Sequence, residues 1–167
     1  MSIAQAMLAE FEQEAATTRK FLERVPEDKM TWKCHEKSNS VGQLALHIAG
    51  VPGNVLKMGL EDVAALPQFG KAWEQPTSVK QLLDALDKSI ATVRAELPKI
   101  DDARMAAMWS AQRDGKTAMT MPRVMFLRFV MLNHWIQHRG QLCVYLRLLG
   151  AKVPSSYGPS GDEAPSM

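Results

Sequence analysis

Residues 126–150 read FLRFVMLNHWIQHRGQLCVYLRLLG, and the reading of this stretch decides the fold. Leu127, Met131, Leu142, Tyr145 and Leu149 recur at a spacing that places them on one face of a long helix. His134 and His138 fall in the gap between them, on the same stripe. Residues four apart on a helix hold their Cβ atoms about 6 Å from each other, so two imidazoles there can converge on one ligand, while Cys143 points elsewhere. Two readings stay open for the pair. It can bind a metal, or it can be two ordinary imidazoles, hydrogen-bonded across a bundle or facing solvent.

A third histidine sits in another patterned segment, SVGQLALHIAG, residues 40–50. Leu44, His47, Val51, Val55 and Met58 share a helical face there. Packing that face against the later helix would carry His47 across the bundle to the other two. The result would be a centre with three protein ligands and room for water.

The chain of 167 residues has length for one domain with a substantial core. Twenty Lys and Arg against 18 Asp and Glu leave a formal charge of +2, which is no electrostatic footprint for nucleic acid. Cys34 and Cys143 are too few for a disulfide framework. The opening MSIAQAMLAEFEQEAATTRK acquires charge too early for a secretion signal, and nowhere is there an apolar run of about 20 residues to span a membrane. The expected location is the cytoplasm.

In chain order, a first helix is expected over much of Ala4 to Val25, with Met7, Leu8, Phe11, Ala15, Thr18 and Leu22 on its buried face. VPEDKMTWKCHEKSNS reads as a connector, in which the adjacent Cys34 and His35 lack metal-ligand spacing and Trp32 packs the connection or lines a mouth. Ser40 and Gln43 form a capping box for the second helix. Pro52 lacks a backbone donor, so a kink or a split is expected just after His47. Thr77 or Ser78 caps a third helix carrying Leu82, Ala85, Leu86, Ile90, Val93 and Leu97. Residues 103–124 read as a connector with a short helix around Ala103 to Trp109, its methionines serving as packing. Pro122 opens the last helix and Gly150 ends it. The expected architecture is all-α, an antiparallel four-helix bundle in a single domain 1–167, with an irregular tail over about 151–167.

GQLALHIAG, NHWIQHRGQLCVYLRLLG and the terminal VPSSYGPSGDE, taken together and in this order, resemble the DinB family of metal-binding helical proteins over nearly the whole chain. The resemblance implies a four-helix bundle that associates as a homodimer. It carries the family's three-histidine metal positions onto His47, His134 and His138, holding one divalent ion per chain, zinc or nickel. The activity it implies is a metal-dependent hydrolase acting on a small electrophilic substrate. Two alternatives are a transferase or isomerase using a small thiol as cosubstrate, and a nonenzymatic metal-binding or interaction module. Arg139, Gly140 and Gln141 belong to the resemblance around the last ligand, with structural roles expected. Tyr157 matches a recurrent position in the tail and is expected to anchor it by packing and a phenol hydrogen bond. No carboxylate stands in an HExxH-type position, and the loop placement of Glu36 offers no route to a metal, so no general base is assigned. The expected partner is a small-molecule substrate, and neither nucleic acid nor a membrane is expected.

Overall fold

The three long helices of the first hundred residues each start at a serine. The side chains of Ser2, Ser40 and Ser78 accept hydrogen bonds from the backbone N–H of Gln5, Gln43 and Gln81 at 3.2, 3.1 and 3.2 Å. Gln5 and Gln43 reciprocate by accepting from the cap N–H, completing two capping boxes. In the structure, a computed structural model that describes residues 1–68 and 73–164, the helices are α1 (Ile3–Leu22), α2 (Val41–Leu60) and α3 (Val79–Glu96). The fourth is continuous but composite. A helical turn, α5 (Arg123–Phe126), widens into a π-helical stretch over Leu127–Asn133 and resumes as α6 (His134–Leu148). It stops at Gly150, whose φ of 71° suits glycine.

These four make the expected helical bundle. Ion pairs Arg94–Glu12 and Arg19–Asp87 set α1 antiparallel to α3, and contacts from Tyr145 to Asn39 and from Leu127 to Gly59 set the last helix antiparallel to α2. The pair α2 and α3 runs parallel. Gln75, just ahead of α3, bonds the start of α2 through Ser40 Oγ at 2.7 Å, and Ser89 Oγ meets Gly53 N–H further along both helices. The connection 61–78 therefore returns the chain to the end where α2 began. Added to the bundle is a small sheet in the order β1 (Val63–Ala65), β2 (Met108–Arg113), β3 (Lys116–Pro122). The central strand β2 pairs in parallel with β1 and antiparallel with β3.

The stretch expected to be a connector thus holds a short helix, α4 (Asp102–Ala106), and a β-hairpin. Its turn is Asp114-Gly115, with φ of 51° and 72°, the hairpin conformation for which Asp-Gly is preferred. The tail from Ala151 onward is irregular and tied down. Arg147 and the Val153 N–H converge on Asp162 Oδ2 at 2.7 and 2.9 Å, and Arg24 pairs with Glu163 at 2.9 Å. Residues 165–167 lie outside the described residues. Among the described residues no helix is long and apolar enough to cross a membrane.

Pro52 does not split α2. A proline in a helix removes the N–H that would have bonded the carbonyl four residues back, here Ile48. Trp135 Nε1 donates to that carbonyl at 2.8 Å, in a buried setting. Gly53 N–H turns to Ser89 Oγ at 2.7 Å, and a Cβ on Gly53 would come within 3.0 Å of Ser89. At the far end, Trp109 Nε1 bonds Met58 O at 3.0 Å, Arg104 bonds Leu60 O, and Arg123 reaches Gly59 O at 2.7 Å and Glu61 O at 3.2 Å. The carbonyls that end α2 are all engaged by side chains of later segments.

Removing the indole donor should expose this dependence. Trp135→Phe is expected to cost about 1–3 kcal/mol beyond its packing loss, because Ile48 O stays buried without a partner. Combining it with Pro52→Ala, which restores a backbone donor, should recover part of the loss. Chemical denaturation of the four proteins in the cycle checks this, and strict additivity would refute it.

Candidate functional site

His47 stands in the second turn of α2, and His134 and His138 stand one turn apart at the start of α6. An unbroken α-helix from Leu127 would keep both later histidines on the core stripe. The π-helical stretch changes the phase. Beyond it the buried positions are Trp135, Arg139, Leu142 and Leu146, and His134 and His138 rotate to the half-buried margin facing α2. The bond from Trp135 to Ile48 joins residues immediately following His134 and His47, so it fixes the two helices in register beside the site.

The three imidazoles meet through Nε2. His134 Nε2 lies 3.3 Å from His47 Nε2 and 3.1 Å from His138 Nε2, and all three ligand-capable atoms lie within 4.8 Å of one another. Four-coordinate zinc with bonds of about 2.0–2.1 Å requires nitrogen atoms about 3.3 Å apart, which the two spacings at His134 match, and three such ligands would leave a fourth position open. The donor chemistry fits too. His138 Nδ1–H donates to Gln141 Oε1 at 2.7 Å, which selects the tautomer with a bare Nε2. Burial lowers the proton affinity of His47, and the neighbouring His138 and His134 lower it further, to a pKa of about 4. Burial and His138 act in the same direction on His134. Both rings therefore stay neutral near pH 7, with lone pairs available to a cation. The three histidines can hold a metal ion.

Two neighbours of the cluster carried no signal as site residues in the sequence. Trp73 lies flat on the His47 ring, centroids 4.0 Å apart and planes at 15°. Its carbonyl accepts from Gln43 Nε2 at 2.9 Å, which straps the segment before α3 over α2. Glu74 follows it, and with Gln43, Leu46, His47 and Trp73 lines a cavity of about 190 Å³. An aromatic and a carboxylate in a connection are ordinary residues; only the return of the chain to the start of α2 brings them here.

The other candidates lie apart. Cys34 and His35 are exposed in the connector, Cys34 Sγ bonding Ser38 Oγ at 3.5 Å and His35 Nδ1 accepting from Lys37 N at 3.2 Å. Neither they nor the exposed Glu36 belong to the histidine cluster. Trp32 packs edge-on against Tyr145 at 5.7 Å. Arg139 is buried against α1, where it pairs with Glu14 at 2.6 Å and donates to Thr18 Oγ1 at 3.2 Å and to Tyr157 OH at 3.0 Å. The Tyr157 hydroxyl donates on to Glu14 Oε1 at 2.8 Å. Tyr157 thus anchors the tail by its phenol hydrogen bonds, and Arg139 has a structural role there, away from the imidazoles.

Comparison with known proteins identifies the family and the fold. A model described as "DinB family" matches residues 1–165. A Bacillus subtilis (strain 168) relative, "Uncharacterized protein YrdA", is 26% identical over 157 residues, covering 93% of this chain and 89% of its own. Among solved structures, a DinB-like protein from Bacillus cereus ATCC 10987 superposes with a TM-score of 0.72 at 25% identity, covering 93% of this chain and 98% of its own. A DinB-like protein from Bacillus subtilis gives 0.65 at 21% identity, covering 91% and 96%. With a match running from the first residue almost to the last, the chain belongs to the DinB family.

Proposed function

We propose that this protein is a divalent-metal-dependent hydrolase of a small electrophilic substrate, with His47, His134 and His138 holding one ion, zinc or nickel, per chain. The observation that carries the reading is the convergence of three Nε2 atoms, 3.1 and 3.3 Å apart, beside an open cavity rather than inside a sealed core. When bound, the ion supplies Lewis acidity and lowers the proton affinity of a nucleophile. The protein's own groups do the remainder. Gln141 holds His138 in the binding tautomer, Trp73 walls one side of His47 and limits water there, and Glu74 is the carboxylate in the same cavity available to take a proton. We also propose homodimerisation, supported by exposed apolar side chains on the final helix at Phe129, Val144 and Leu148.

His134→Ala and His138→Ala should each lower metal affinity by about 100-fold or more with the fold retained, and Gln141→Ala by roughly tenfold, read by metal analysis and circular dichroism. Wild-type affinity in both histidine variants would remove the assignment.

Metal-loaded protein is to be offered a panel of small esters, amides and epoxides in heavy-oxygen water, with and without a small thiol, and the products weighed. Heavy oxygen in the product is the expected result, and Glu74→Gln should depress kcat with metal occupancy unchanged. Thiol in the product would replace hydrolysis by transfer. An ion that exchanges no ligand and reaches no substrate would leave a structural module. For association, sedimentation equilibrium of the metal-loaded chain should give twice the monomer mass; a monomer at every concentration would contradict the dimer.

A further inference from the structure

Beside the histidine cavity a second and larger one, of about 340 Å³, runs along the parallel pair α2 and α3. The two cavities share Leu46 and Glu74 in their walls. On α2 the floor passes from Leu46 through Gly50, Gly53 and Asn54 to Lys57, a rise of about 16 Å at 1.5 Å per residue. On α3 it passes from Ala85 through Lys88 and Ser89 to Thr92. The trough exists because the helices meet at Gly53 against Ser89, while Gly50 and Ala85 present almost no side chain.

Its charge is graded. Glu74 lies at the end shared with His47, and Lys57 and Lys88 line the part further along. Several other surface cations are in ion pairs, as in Arg94–Glu12, Lys80–Asp84 and Lys99–Glu96. The ammonium groups of Lys57 and Lys88 have no ion pair or hydrogen bond among the described residues, and the Asn54 amide has none either. Two unneutralised cations and a free amide along one trough suit an anion, and a volume near the lower bound for small-molecule sites suits a slender one.

We propose that the α2–α3 trough is a binding site for an elongated small molecule ending in a carboxylate or phosphate, with the anionic end at Lys57 and Lys88 and the chain lying over Gly50 and Gly53. That the other end reaches the histidines rests on the metal reading above; the anion site itself does not. The length of the trough makes it a ruler, and Glu74 orients the occupant by repelling its anionic end from the histidine side.

The probes are linear dicarboxylates from succinate to sebacate, with monocarboxylates of matched length, titrated into the isotope-labelled full chain with and without zinc and followed by NMR. Amide shifts at Asn54, Ser89 and Thr92 should saturate, with affinity rising along the series. Lys57→Gln or Lys88→Gln should weaken the long members about threefold each, the double variant about tenfold, and high salt should erase the difference. Zinc should favour dicarboxylates over monocarboxylates. Lysine dependence without a zinc effect would keep the anion site and count against the metal reading. Inorganic phosphate in place of the carboxylates tests for the other anionic group, and its tighter lysine-dependent binding would assign a phosphate end. No saturable shift at those amides with any probe, or shifts indifferent to both lysines, would overturn the proposal.

Discussion

The hydrogen bond from Trp135 to Ile48 O is the constraint from which the rest of the site follows. Pro52 leaves that carbonyl without its usual donor in the middle of a buried helix, where an unpaired polar group costs about 1–3 kcal/mol. The indole pays the debt from another helix, and in doing so it fixes both the height and the rotation of α6 against α2. Trp135 also stacks on Phe11 of α1, ring centroids 5.4 Å apart. One side chain therefore gauges three helices, and the 3.3 Å separation of His47 and His134 lies one residue away on each helix of that contact. The proline that threatened to disrupt α2 is what gives α2 and α6 a specific point of attachment.

The far end of α2 poses the opposite electrostatic problem and has a cationic answer. A helix C-terminus concentrates unpaired carbonyls and negative partial charge. Arg123 is fully buried there, and its guanidinium spends its donors on Gly59, Glu61 and Arg104 carbonyls and on Asp62. The Asp62 carboxylate is largely exposed, so carbonyl dipoles rather than a buried counter-ion do most of the compensation. The sheet belongs to the same device. β1 leads directly out of α2, and Trp109 of β2 both caps Met58 and stacks on Phe126 at 3.7 Å, just where the last helix begins its π-helical stretch.

Much of this was legible in the sequence, and the parts that were not share a cause. The Ser40–Gln43 capping box and the helical faces are local patterns, in which the residues that speak are neighbours along the chain. The histidine trio was legible because its spacing and its resemblance agree. Of the kink or split expected at Pro52 the split does not occur, because the groups it frees are partnered by residues 89 and 135, far along the chain. The parallel run of α2 and α3 depends on Gln75 reaching Ser40 and the Met30 carbonyl, which no periodicity announces. The hairpin was legible in principle through Asp114-Gly115, and the helical reading of the preceding residues obscured it. Trp73 and Glu74 join the site only through that same return of the chain.

The final helix shows how one segment serves fold and chemistry without conflict. After the π-helical stretch, residues 135, 139, 142 and 146 face the core, while His134 and His138 meet His47 and Gln141 bonds His138. A charged residue one position after a metal-type histidine looks catalytic on paper. Arg139 is directed about 100° away from His138 by helix geometry, and there it joins Glu14, Thr18 and Tyr157 to hold the tail. That separation has an electrostatic consequence. A guanidinium facing the imidazoles would repel a cation, whereas here its charge is directed to the Glu14 carboxylate beyond the core. What remains is a cluster of three imidazoles that can hold a metal ion, with the Gln141 amide bonded to His138 and the Glu74 carboxylate in the cavity beside His47.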